Sequence, residues 1–191
     1  MSEDTPSVST KPLAQELQRV RTEYSIPEDR LRLVGEDRDG NRIAIWLTFR
    51  LLQRLVPVLL KYLDEQLGEQ AEKAGPTLKL GDLQEFAQAS AKSALRRGDS
   101  EPVHWSEGDS QWLANSVDYS SSKQGVRLVF VSAAEQRAGF VMPAPLLRQW
   151  LTIVYSGYRQ AGWSTAVWPE WMEAVGEKPA EGADKSHVVL H

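Results

Sequence analysis

The chain has 191 residues, of which 41% are hydrophobic and 25% are charged, and its formal net charge is −4. These totals predict one well-packed domain, or two small halves that share a core, and the acidic balance argues against a general attraction to nucleic acid. Because the chain contains no cysteine, disulfide bonds, thiolate nucleophiles and cysteine-ligated metal sites are excluded.

The first residues of the chain and the lengths of its apolar runs indicate where in the cell we expect the protein. Residues 1–9 are polar, which predicts a disordered terminus rather than a secretory signal. Every apolar run is far shorter than the roughly 20 residues that a membrane-spanning helix needs. We therefore expect a cytoplasmic protein with no membrane segment.

Apolar residues recur at helical spacing directly after this terminus. Leu13, Leu17, Val20 and Tyr24 lie three or four residues apart, which predicts an amphipathic helix over residues 12–24. The sequence Ser-Ile-Pro that follows would end this helix.

Two short alternating segments come next, at residues 31–36 and 42–47, and they predict a pair of antiparallel strands. Between them lie Asp39 and Gly40, a dipeptide that is typical of a two-residue type I′ turn. Both residues of such a turn need a positive φ, which Asp tolerates and Gly adopts freely.

The acidic stretch EDRDGN at this turn could instead hold calcium. An EF-type loop that begins at Asp37 would have suitable oxygen ligands at its first, third and fifth positions. It would then need glycine at the sixth position and glutamate at the twelfth, where this chain has Arg42 and Thr48. The stretch is therefore interpreted as a hairpin turn and not as a metal site.

The hydrophobic period changes from two to 3.6 after the second strand, which predicts a helix that Thr48 can cap. Its apolar residues form one stripe that should face the core: Leu51, Leu52, Leu55, Val56, Leu59 and Leu63. Its opposite side carries Arg50, Arg54 and Lys61, a possible basic face.

The middle of the chain predicts a connection, a helix, a loop and another strand. Residues 68–76 form a short polar connection that closes the first unit. Asp82 can cap a helix over residues 83–95. Residues 98–110 then predict an exposed loop, and residues 112–120 alternate as a strand that a hairpin joins to the next one.

Part of the second half repeats the first half, without a gap, at an offset of 95 residues. With Leu31 placed over Val126, the two segments share the letters RLV and the order strand, turn, strand, helix. We predict an internal duplication of a ββα unit, with repeats over residues 10–75 and 80–163. The fold class is then α+β with antiparallel sheets, and the two units form a pseudo-two-fold single domain over residues 10–178.

A tryptophan-rich segment, residues 163–176, follows the helix of the second repeat. Four large apolar side chains lie in it: Trp163, Trp168, Trp171 and Met172. The segment could pack over the open end of the sheet as a lid, since large aromatic residues most often belong to a core. It could instead form, with Arg159, a surface that binds a partner protein. Residues 179–191 predict a flexible tail.

The sequence contains no arrangement that predicts catalysis. Two of the three histidines, His187 and His191, lie in the tail, and His104 lies in a polar loop where we expect it to be solvated. No nucleophile elbow, phosphate-binding loop or dinucleotide-binding fingerprint occurs. We therefore predict no catalytic residue, no metal and no cofactor, although an enzyme that uses tyrosine, arginine and carboxylates stays open.

A non-enzymatic adaptor or accessory subunit, acting through protein–protein contacts, is the function that remains by elimination. Its expected contact surface combines the tryptophan-rich segment with the outer side of the preceding helix; the partner and the oligomeric state stay unknown. An alternative is a small-molecule-binding protein or an enzyme with a pocket between the two repeats. A third is nucleic-acid binding through a basic face formed by Arg50, Arg54, Lys61 and Arg148, which the net charge disfavours.

Overall fold

The computed structural model of the chain describes residues 14–74, 79–96 and 103–176. Within them the fold is α+β, as predicted, with a curled sheet of seven strands and four helices. The strands are β1 (Gln15–Ser25), β2 (Arg30–Asp37), β3 (Arg42–Leu47), β4 (Ser110–Leu113), β5 (Ser116–Ser122), β6 (Gly125–Val131) and β7 (Arg137–Met142). The helices are α1 (Phe49–Ala74), α2 (Leu80–Arg96), α3 (Ala144–Ala161) and α4 (Glu170–Gly176).

The sheet has the strand order β4-β3-β2-β1-β7-β6-β5. Strands joined by a short turn are antiparallel, and the hairpin signals predicted three of these four pairs, all but β1 with β2. Two further pairs, β1 with β7 and β3 with β4, are parallel and join strands that are distant in the chain. The prediction of wholly antiparallel sheets was therefore wrong, because it considered only connections between neighbours in sequence.

Strands β4 and β5 lie at opposite ends of this order although only two residues separate them in the chain. The N–H of Ala114 donates to the carbonyl of Trp46 in β3 (3.0 Å), and the N–H of Asn115 donates to the carbonyl of Val131 in β6 (2.8 Å). The sheet therefore curls until its two edges meet here. The single strand predicted over residues 112–120 is in fact two strands, one at each edge.

The helix predicted over residues 12–24 is wrong, because the described part of this segment is strand β1. A β-bulge explains the error: β1 carries one extra residue, between Leu17 and Arg19, relative to β2. The core-facing residues Leu17, Val20 and Thr22 are consequently three and then two residues apart. The spacing of three residues between Leu17 and Val20 is the same as the spacing of apolar residues on one face of a helix.

Helix α1 continues to Ala74, so the predicted connection at residues 68–76 is wrong over most of its length. The run EQAEKA consists of good helix formers, and a glycine such as Gly68 costs only about 1 kcal/mol inside a helix. Helix α2 was predicted correctly but begins earlier, at Leu80. Residues 1–9 and 179–191, for which we predicted disorder, lie outside the described residues.

The turn between β2 and β3 is a hairpin turn, but it has three residues and not two. The N–H of Asp37 donates to the carbonyl of Asn41 (3.0 Å), and the N–H of Gly40 donates to the carbonyl of Asp37 (3.2 Å). Of the turn residues only Gly40 has a positive φ, 82°, whereas a type I′ turn needs two. The Asp37 carboxylate accepts bonds from Asn41 and from the N–H of Asp39, and these bonds lower its pKa.

The turn between β6 and β7 has the same geometry 95 residues later. The N–H of Ser132 donates to the carbonyl of Gln136 (3.0 Å), and the N–H of Glu135 donates to the carbonyl of Ser132 (3.1 Å). Glu135 occupies the position of Gly40 and has a φ of 60°. A glutamate therefore adopts here a left-handed conformation that favours glycine.

Two of the three kinds of strand pair correspond between the halves at an offset of 95 residues, whereas the register of β1 with β2 differs by two residues from that of β5 with β6. Leu31–Leu47 corresponds to Val126–Met142, and Gln15–Ala138 corresponds to Ser110–Ile43. The first strand segment of each half thus pairs in parallel with the last strand of the other half.

Helices α1 and α3 pack against the sheet and build the core with it. One hydrophobic cluster contains residues from both halves, among them Leu31, Leu33, Ile45, Leu52, Leu59, Leu128, Phe130, Leu147 and Leu151. Helix α3 approaches β2 closely at Gly157, where an added Cβ would lie 2.5 Å from Cδ2 of Leu31. This close approach fixes the position of α3 across the sheet.

Replacement of Glu135 by glycine should stabilise the protein. We expect Glu135→Gly to raise the free energy of unfolding by about 0.5–1 kcal/mol, because glycine adopts a positive φ without the steric cost of a side chain. The matched change in the first turn, Gly40→Ala, should lower it by about 1 kcal/mol. Urea unfolding followed by circular dichroism measures both, and a loss of stability in Glu135→Gly would contradict this account.

Candidate binding site

Strand β1 changes its pairing along its length. Gln15 and Glu16 pair in parallel with β7, whereas from Leu17 onward β1 pairs only with β2 among the described strands. The other edge of β1, over residues 18–25, therefore has no strand partner in the part of the chain that the structure describes. Helix α3 lies beside this edge, and its Trp150 donates from Nε1 to Oγ1 of Thr22 in a buried hydrogen bond (3.0 Å).

A groove follows the outer side of α3, and three adjoining hollows form it. The first, of about 210 Å³, shares Thr22 and Ile153 with the second, of about 500 Å³. The second shares Thr152 and Ser156 with the third, of about 460 Å³. We call the whole the α3 groove: its first two hollows lie between β1 and α3, and the third lies between α2 and α3.

The end of the α3 groove near the beginning of α3 is apolar. Leu17 and Val20 of β1 line one side, and Val141 and Leu146 line the other. Val141 and Leu146 keep 54% and 51% of their surface exposed. Exposed apolar side chains beside a concave surface indicate a place where another molecule binds.

The opposite end of the α3 groove is polar and basic. Lys92 of α2 and Arg159 of α3 line it, together with the hydroxyl-bearing residues Thr152 and Ser156. Arg159 is exposed at this end, and an exposed cation attracts a negative group on a ligand. The groove therefore has an apolar end and an anion-attracting end.

The tryptophan-rich segment packs as a lid, not as a free surface. Only 6% of Trp168 and 2% of Met172 is exposed, and Trp168 makes edge contacts with the rings of Tyr155 and Tyr158 at centroid distances of 5.2 and 5.4 Å. Of the two alternatives for Trp168 and Met172, the structure contains the buried one, and a role of either residue in partner binding stays a prediction. Burial also raises the pKa of the Tyr158 hydroxyl.

The other two tryptophans of the segment are half-buried. The ring of Trp163 lies 5.0 Å from that of Phe49, and its Nε1 donates to Oδ1 of Asp29 (3.1 Å). Trp171 lies under the guanidinium of Arg148. Both rings thus have intramolecular contacts, and whether their exposed edges bind a partner stays a prediction.

Arg148 does not lie on an exposed basic face, because only 5% of its surface is exposed. Its Nη2 donates to Oε1 of Gln84 (2.6 Å), and Nε2 of Gln84 donates to Oδ1 of Asp64 (2.7 Å). Burial lowers the pKa of Arg148 to about 10, and the charge of Asp64 opposes this shift. Periodicity within α3 predicted the wrong environment for Arg148, because Gln84 of α2 and Trp171 of the segment after α3 contact it.

The remaining predicted binding residues are exposed as expected: Arg50, Arg54, Lys61 and Arg159. The exposure of a side chain does not test whether it binds anything, so these roles stay predictions. His104 is exposed, and among the described residues no group of three or more histidines and carboxylates could hold a metal ion. None of the described helices has the length and apolarity to cross a membrane.

Comparisons of the chain with protein-family models, with curated proteins and with solved structures found no match. A function must therefore be argued from the geometry of the α3 groove.

Sequence reasoning missed the β1 side of the groove and its apolar end. Leu17, Val20 and Thr22 were assigned to a helix, and Val141 was assigned to an ordinary strand position. One signal was present: Val141 alternates with the buried Phe140 and Met142, which places an apolar side chain on the solvent side of β7.

Removal of the Trp168 side chain should lower the free energy of unfolding strongly. We expect Trp168→Ala to lower the free energy of unfolding by about 3–5 kcal/mol, because it leaves a cavity beside Tyr155 and Tyr158. Phe86 of α2 is the matched control, since 76% of its surface is exposed and Phe86→Ala should change stability by about 0.5 kcal/mol or less. Similar effects of the two changes would refute the assignment of Trp168 as a lid.

Proposed function

We propose that the protein is a non-enzymatic adaptor that binds a segment of a partner protein in the α3 groove. The observation that carries this proposal is the open groove in which Val141 and Leu146 remain half-exposed. A protein that binds a small molecule usually encloses it in a cavity with converging polar groups. Exposed apolar side chains along a surface groove favour a larger partner.

The edge of β1 with which no described strand pairs favours a ligand in extended conformation. An extended segment can add main-chain hydrogen bonds to a strand edge while alternate side chains enter the groove beside it. From Leu146 to Gln160 the groove follows about 21 Å of helix, at about 1.5 Å per residue. An extended segment of six or seven residues, at about 3.3 Å each, spans that distance.

The charge of the groove predicts the composition of the segment. Apolar side chains suit the end that Leu146 and Val141 line, and a carboxylate suits the end that Lys92 and Arg159 line. We therefore propose a partner segment with apolar residues followed or preceded by an acidic residue.

We further propose that the two halves arose by duplication of a ββα unit and form a pseudo-two-fold pair. Three observations support this proposal, all at an offset of 95 residues: the gapless sequence correspondence, the matching turn hydrogen bonds and the matching register of two of the three strand pairs. A hairpin and a parallel pair of strands that are distant in the chain set their registers separately, so agreement at both is hard to obtain by chance.

A peptide library tests the binding proposal directly. Twelve-residue random peptides displayed on phage are selected on the full chain, and the best are labelled and measured by fluorescence anisotropy. We expect Leu146→Glu to raise Kd about tenfold or more, because it places a charge at the apolar end of the groove. Leu146 lies in the first turn of α3, where an acidic residue is compatible with a helix, so the variant should fold.

Phe86→Glu is the matched control, because it also places a charge on an exposed apolar position of a helix but outside the groove. It should change Kd less than twofold. The proposal fails if no selected peptide binds, or if a Leu146→Glu protein with an unchanged Tm binds as tightly as the original chain.

The anion-attracting end gives a second prediction. Peptides selected on the chain should contain an acidic residue, and their Kd should rise about fivefold for Arg159→Gln and also as sodium chloride is raised from about 0.05 to 0.5 M. Anisotropy titrations measure both effects. The proposed polarity of the groove would be contradicted if the selected peptides contain no acidic residue and their Kd changes neither with salt nor with Arg159→Gln.

A further inference from the structure

A second groove lies between α1 and β5. It has a volume of about 230 Å³ and six lining residues: Leu51, Arg54, Leu55, Asn115, Ser116 and Val117. We call it the α1 groove. Like the α3 groove, it lies between a helix and a strand that belong to different halves, because β5 pairs with β6 and leaves its other edge toward α1.

The α1 groove corresponds to the α3 groove residue by residue. Five of its six lining residues have a counterpart that lines the α3 groove at an offset of 95. These pairs are Leu51 with Leu146, Arg54 with Gln149, Leu55 with Trp150, Asn115 with Val20 and Val117 with Thr22. The same wedge between helix and strand therefore occurs twice in the molecule.

The two grooves differ in charge. Arg54 stands where the α3 groove has the neutral Gln149, and Arg50 is exposed one turn earlier on α1. Lys61 lies further along α1 and pairs with Glu65 at 3.7 Å. The beginning of the α1 groove is therefore basic and its floor is apolar.

We propose that the α1 groove is a second binding site, which takes an acidic extended segment of a partner protein. This inference rests on the proposed function of the α3 groove and adds a second site with a different preference. In the α1 groove, the apolar residues Leu51, Leu55 and Val117 accept aliphatic side chains of the ligand. Arg54 pairs with a carboxylate that lies between those aliphatic side chains in the ligand.

A protein segment fits the α1 groove better than a nucleic acid does. Binding of single-stranded nucleic acid relies on aromatic rings that stack on bases, and none of the six lining residues is aromatic. The chain as a whole is acidic, with a net charge of −4, which weakens its attraction to a phosphate backbone.

Two sites on one molecule allow bivalent recognition. A partner that carries an apolar segment and an acidic segment on one chain would bind the second site intramolecularly after the first. Its affinity could then exceed that of either segment by about a hundredfold or more without any new contact.

The test uses the Leu146→Glu protein, in which the apolar end of the α3 groove carries a charge. The probe is a fluorescein-labelled peptide of three Glu-Val-Asp-Leu repeats, titrated by anisotropy. We expect one peptide per chain, and we expect Arg54→Gln in this background to raise Kd about fivefold to tenfold. Arg38→Gln is the matched control, because it removes the same charge from an exposed position in the turn between β2 and β3, outside the residues that line either groove; it should change Kd less than twofold.

Three results would overturn the inference: no binding of the peptide, equal effects of Arg54→Gln and Arg38→Gln, or tighter binding of a twelve-residue oligothymidylate than of the peptide. The last result would assign the basic face to nucleic acid. If the library peptides bind the unmodified chain and Leu146→Glu weakens their binding, only the proposal of a second site is contradicted. If neither the library peptides nor the acidic peptide bind, the proposed function fails as well.

Discussion

The pairing of β1 is the constraint from which the rest of the architecture follows. Two residues of β1 join β7, and the remaining residues join β2, so β1 diverges from β7 after Glu16. The same divergence occurs where β4 pairs with β3 and β5 pairs with β6. Each divergence leaves a wedge-shaped gap beside a strand. A helix side chain fills the inner part of this gap, because exposure of its apolar walls to water would be unfavourable. Trp150 does this in one wedge, and Leu55 occupies the corresponding place in the other.

The wedge and the lid have separate roles. The tryptophan-rich segment extends the core through Trp168 and Met172. Helix α2 packs over α3 through two hydrogen bonds, one between Gln84 and Arg148 and the other between Gln88 and Thr152. These contacts hold α3 in place against the sheet. The outer part of each wedge is left open, and the two open grooves are the surfaces on which our functional proposals rest.

Local signals predicted the parts of the fold that are local. The hairpins and the apolar stripe of α1 depend on residues close in sequence, and the structure contains them. The bulge near Leu17 changed the phase of β1 and produced a false helical period. The burial of Arg148 depends on α2 and on Trp171, and the grooves combine residues that are far apart in the chain, such as Val20 with Leu146 and Leu51 with Val117. No periodicity within one segment carries such information.

Amide hydrogen exchange of the full chain, read residue by residue by NMR without and with the tightest library peptide, tests the central claim most directly. The account predicts that alternate amides of β1 between Gln18 and Ser25 exchange fast in the free chain, because the edge beside α3 has no strand partner, and slow at least tenfold with peptide. Uniformly slow exchange in the free chain would show that this edge is already paired. Unchanged exchange with bound peptide would show that the ligand binds elsewhere, and either result would contradict the account.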